Sequence, residues 1–99
     1  MSNEIRQNLL DQVKATIESL DQDTEPLDVE YLVKMDKSIK DIILTTTVGG
    51  PRIDIHLGTY TVKGYWGSEE IDYPIFENES EIRSKFDSLF YYYKELFNV

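Results

Sequence analysis

Asp54 and His56 are the nearest this chain comes to catalytic machinery. In a strand, residues two apart point to the same face, so the carboxylate could orient the imidazole, or the two could begin a metal site. His56 is the only histidine, cysteine is absent, and no third partner is identifiable from the sequence. The expected reading is therefore a solvated pair on a strand face, with no enzyme activity, cofactor or metal implied. Gly49-Gly50-Pro51 invites comparison with a phosphate cradle. Such a loop feeds a helix N-terminus and usually carries Lys-Ser/Thr or a third glycine, whereas here Ile53 to Leu57 alternates with Arg52, Asp54 and His56 as a strand. A corner is expected instead, because glycine reaches positive φ and proline, lacking an N–H, suits a turn or a strand start.

Carboxylates are the more abundant chemistry. The formal net charge is −9, and its distribution is uneven. Between Ala15 and Val33 lie Glu18, Asp21, Asp23, Glu25, Asp28 and Glu30 with no Lys or Arg; between Gly64 and Ile82 lie Glu69, Glu70, Asp72, Glu77, Glu79 and Glu81, again with none. The rest of the chain holds more bases than acids, so all of the net negative charge resides in these two blocks. Calcium is a poor fit, because Asp21-Gln22-Asp23-Thr24-Glu25 is followed by Pro26 where a calcium loop needs its turn glycine. An acidic balance also argues against direct binding to nucleic acid or anionic membrane, whose footprint is a basic patch.

The partner that such blocks suit is basic. Closely spaced carboxylates on a rigid domain resemble the row of phosphates that a nucleic-acid-binding protein neutralises. The candidate contact residues are Asp21, Asp23, Glu25, Asp28, Glu30, Glu69, Glu70, Asp72, Glu77 and Glu79. Tyr65 and Tyr91 join them as aromatic anchors, since both fall opposite apolar stripes. The alternative is an accessory or regulatory domain that self-associates, as a homodimer, through its sheet face or edge.

The elements that must position these residues can be read from periodicity. Ile5, Leu9, Val13, Ile17 and Leu20 recur every three or four residues, which predicts a helix from about Asn3 to Leu20 with Ser2 as its cap. Leu27 to Met35 alternates as a strand, although Thr24 with Glu25-Pro26 could also open a short helix. Asp36-Lys37-Ser38 is a turn into a strand over Ile39 to Val48; strands at Ile53 to Leu57 and Tyr60 to Trp66 follow after separators short enough to require antiparallel hairpins. Ile71 to Ile75, with Pro74, reads as a short edge strand. Asn78-Glu79-Ser80-Glu81 matches a capping box, opening a helix whose stripe is Ile82, Phe86, Leu89, Phe90, Tyr93 and Phe97.

The chain, residues 1–99, is thus expected to form one α+β domain: an N-terminal helix, an antiparallel sheet of four or five strands and a C-terminal helix, with both helices on one sheet face. No apolar run is long enough for a membrane span, and MSNEIRQN has neither part of a signal peptide, so a cytoplasmic location is expected.

A Gly-Gly-Pro followed by an alternating Ile strand, a short turn and Gly64-Tyr65-Trp66-Gly67 resembles a pattern in short acidic proteins of phages and conjugative elements of Gram-positive bacteria. The resemblance covers roughly residues 28 to 75. Some small acidic proteins of these elements are anti-CRISPR proteins that bind Cas9 or its guide complex, and some are similar in their order of helix, sheet and closing helix. The resemblance implies a host-cytoplasmic inhibitor, and it carries over no site residue.

Overall fold

The computed structural model describes residues 2–48 and 50–97. Helix α1 (Ser2–Ser19) leads into five strands, β1 (Asp28–Val33), β2 (Ile39–Thr47), β3 (Arg52–His56), β4 (Thr61–Trp66) and β5 (Glu69–Pro74), and helix α2 (Ser80–Phe97) closes the chain. Every strand pairs antiparallel with its sequence neighbour, so the sheet order is β1-β2-β3-β4-β5. Short connections dictate this meander, since each strand can reach only the one before it.

Both helices cover the same face. Ile42, Leu44, Ile53, Ile55, Leu57, Val62, Ile71 and Ile75 share one parity of the alternation and form a single buried core with Leu9, Val13, Ile17 and Leu20 of α1 and Phe86, Leu89 and Tyr93 of α2. The predicted stripes shorten at their ends. Ile5 and Phe97 are exposed, and Phe97 packs against Tyr31 of β1, where the ring centroids lie 4.6 Å apart.

Gly64 decides how closely α1 approaches. A Cβ at this position would lie 3.0 Å from Leu9 Cδ1 and 3.0 Å from Val13 Cγ2, so the missing side chain is the space that the helix occupies. Gly64→Val is expected to cost about 1–3 kcal/mol by forcing α1 outward, as a lowered urea midpoint would report. Gly50→Ala serves as the control, because nothing lies near its added carbon.

The turns mostly follow their sequence signals. Asp36 Oδ1 accepts hydrogen bonds from Ser38 N and Ser38 Oγ, and Lys37 takes the positive φ, 72°, of the β1–β2 turn. β2 ends at Thr47 and β3 begins at Arg52, antiparallel to it; Gly49, part of the expected Gly-Gly-Pro corner, lies outside the described residues. Positive φ among the described glycines falls to Gly67, at 61°, in the two-residue Gly67-Ser68 hairpin loop. Ser2 lies inside α1 as its first residue, so the helix starts one position earlier than predicted.

At the start of α2, among the described residues, the expected capping box of Asn78 and Glu81 makes neither of its hydrogen bonds. Glu79, not Asn78, is the capping residue: its carbonyl accepts from Arg83 N at 3.0 Å and its carboxylate reaches back to Phe76 N at 3.3 Å.

Tyrosines fasten α2 to the sheet. Tyr31 Oη donates to Tyr93 O at 2.9 Å; Tyr60 Oη donates to Asp87, with the Arg83 guanidinium 4.3 Å from its ring. Burial raises the phenol pKa of Tyr31 and Tyr93 above 10.0, and the hydrogen bond to Asp87, followed by burial, does the same for Tyr60. A folded-state pKa raised above the unfolded value favours the neutral phenol in the fold. That contribution is whole below pH 10 and lost as pH climbs through the raised values. Between about pH 7 and pH 9 the tyrosines should leave thermal midpoints level, and above pH 10 the midpoints should fall in step with ultraviolet tyrosinate absorbance.

Candidate protein-binding face

The sheet face turned away from the helices has no layer over it among the described residues. Register fixes what it displays. One row across the strands is Asp28, Thr45, Asp54, Lys63 and Asp72; neighbouring rows add Glu30, Ile43, His56 and Thr61 on one side and Arg52, Tyr65 and Glu70 on the other. With Asp41, this face carries six carboxylates against one arginine, one lysine and His56.

Asp54 and His56 do share this face, as their spacing predicts, but they do not pair. Asp54 Oδ1 accepts from Thr45 Oγ1 at 2.9 Å, and Arg52 Nε reaches both carboxylate oxygens, at 3.1 and 3.2 Å. The partner of His56 is Asp41, whose Oδ2 lies 3.3 Å from Nδ1. Asp41 is only 3% exposed, and its Oδ1 accepts from Ile42 N at 2.8 Å and from Gly58 N at 2.7 Å. It clamps the β3–β4 turn to β2, a structural role that uses both its oxygens. Gly58 permits the clamp, since a Cβ there would come within 2.9 Å of Asp41 Oδ1. The signal available in the sequence was an Asp set among the strand-forming residues of β2, a position that a carboxylate takes only with partners. Among the described residues no three His, Asp or Glu side chains form a group that could hold a metal ion.

The two acidic blocks are not brought together. β1 and β5 are the opposite edges of the sheet, four strand spacings or about 19 Å apart. Asp28 and Glu30 stand on β1, with Asp21, Asp23 and Glu25 in the loop that precedes it; Glu69, Glu70 and Asp72 stand on β5, with Glu77 and Glu79 in the link to α2. The flanks also differ in neutralisation. On the β5 side Arg6 Nη1 lies 3.3 Å from Glu69, Lys63 Nζ lies 3.9 Å from Asp72, and the Glu79 carboxylate accepts from Phe76 N. On the β1 side, among the described residues, none of the five carboxylates has an ion-pair partner. Asp21 Oδ1 accepts from Asp23 N at 2.8 Å, which folds the loop and leaves Asp23 and Glu25 exposed.

The aromatic anchors are separated as well. Tyr65 is half-buried on the open face between Arg52 and Glu70, its phenol pKa raised by burial and then by the charge of Glu70. Tyr91 is 65% exposed on the outer side of α2, in the opposite layer. One flat partner surface cannot touch both. The aromatic and apolar side chains near the unpaired acids are instead Tyr92 and Leu96, which with Tyr93 and Val29 line a groove of about 490 Å³ against loop residues Gln22 to Pro26. Sequence periodicity assigned the stripe beside them to the core and could not register that α2 overhangs β1.

A scan of protein-family models returns no match to this chain, and neither curated proteins nor solved structures match it.

Proposed function

We propose that this chain is a non-enzymatic acidic protein of a mobile genetic element that binds and inhibits a basic, nucleic-acid-binding defence protein in the host bacterial cytoplasm. A Cas9-type CRISPR effector, alone or with its guide, is the target we put first. The observation that carries the reading is the β1 flank, where Asp21, Asp23, Glu25, Asp28 and Glu30 gather without ion-pair partners among the described residues. Exposed charges left unneutralised at one edge raise the local negative potential and steer a cationic groove toward it. The β5 flank, already partly paired, contributes the weaker field. In this reading the protein occupies a surface that would otherwise hold phosphates, so inhibition is by competition.

Binding to guide-loaded Cas9 and cleavage of its target DNA are the measurements. Affinity should fall at least about tenfold as salt rises from roughly 0.05 to 0.5 M, because screening shortens the reach of exposed charges. Affinity indifferent to salt would remove the electrostatic mechanism, and failure to bind or inhibit would remove the target.

A further inference from the structure

We propose that the outer edge of β1 docks an extended basic segment of the partner, which joins the sheet as a sixth strand. This rests on the reading above and names how the basic partner is held. Among the described residues β1 pairs only with β2, so the main-chain N–H and C=O groups on its other side have no ladder partner there. The opposite edge is blunted: Pro74 lacks a donor on β5, Arg6 Nη1 donates to the Glu70 carbonyl at 3.4 Å, and α1 packs along β4 and β5. β1 contains no proline, and α2 reaches it from the helix-side face through Tyr31.

The side chains flanking this edge state what would fit. On the open face it presents Asp28 and Glu30; on the helix side it presents Val29 and Tyr31 beside the groove against Leu96, which is itself 51% exposed. A strand added here sends alternate side chains to the two faces. Lys or Arg at every second position would meet Asp28 and Glu30, and Val, Ile or Leu between them would cover Val29 and the groove. A second copy of this chain does not fit. Antiparallel pairing of β1 with itself keeps Asp28 and Glu30 of both copies on one face, where directly opposed side chains are only about 5 Å apart.

The test uses the whole protein and three synthetic ten-residue peptides: alternating Lys-Val, the same peptide with every second amide N-methylated, and alternating Glu-Val. Binding is read by fluorescence anisotropy and amide hydrogen exchange by NMR. The Lys-Val peptide should bind and slow exchange at β1 amides; N-methylation and the Glu-Val exchange should each weaken binding at least about tenfold. The double variant Asp28→Lys, Glu30→Lys, checked for folding by circular dichroism, should lose a similar factor. Equal binding of the N-methylated peptide, unchanged exchange along β1, or no binding of the Lys-Val peptide would overturn strand addition. Salt-dependent Cas9 binding with β1 exchange unaltered would overturn strand addition alone. Loss of Cas9 binding with peptide docking intact would overturn the chosen target and support the docking mode.

Discussion

Replacing Asp41 with alanine is expected to lower the unfolding free energy by about 3 kcal/mol, since each buried hydrogen bond left with one partner costs about 1–3 kcal/mol. The substitution strands Ile42 N and Gly58 N and releases His56 from its carboxylate. For a domain of this size the melting temperature should drop by roughly 12–24 °C. Asp41→Asn keeps an acceptor oxygen for the backbone and should lose less than half as much; His56→Ala, removing only the longer contact, should cost about 1 kcal/mol or less. Urea unfolding followed by circular dichroism gives all three values. An Asp41→Ala protein as stable as the parent would show that the clamp on the β3–β4 turn is incidental.

The second large effect concerns the partner. Changing Asp23, Glu25, Asp28 and Glu30 together to lysine should weaken binding to guide-loaded Cas9 about 100-fold at low salt, taking about 0.7 kcal/mol for each reversed surface charge. The four side chains are exposed, so stability should change little. Reversal of Glu69, Glu70 and Asp72 at the far edge should cost less than about fivefold, because Arg6 and Lys63 already offset two of these carboxylates. Equal losses from both edges would mean that the partner spans the whole face and that the β1 flank has no special place.

That asymmetry was invisible along the chain. As sequence, the two blocks are twins, each with six acids and no base. Their difference arises from Arg6, carried to Glu69 by α1 lying across the sheet, and from Lys63, brought alongside Asp72 by the β4–β5 register. The pairing of His56 has the same character. Asp54 is its near neighbour in sequence, yet Asp41 is its neighbour in space, because two adjacent strands place residues fifteen apart on one diagonal. Gly64 shows the converse: a glycine in an alternating strand announces a close approach, and only the packed helix identifies Leu9 and Val13 as what approaches.

The order of helix, antiparallel sheet and helix and the α+β class were legible in the sequence alone, which left the strand count at four or five and residues 27–35 open between strand and helix. Repeats of 3.6 and 2 residues and the chemistry of turn residues are local, and short hairpins leave few ways to connect such elements. Tertiary structure decided which carboxylates stay free, which aromatic side chains border them, and which edge of the sheet remains open. Those properties depend on residues brought within a few ångströms from dozens of positions away, and electrostatic pairing and shielding act at that distance in space, whatever the separation in sequence.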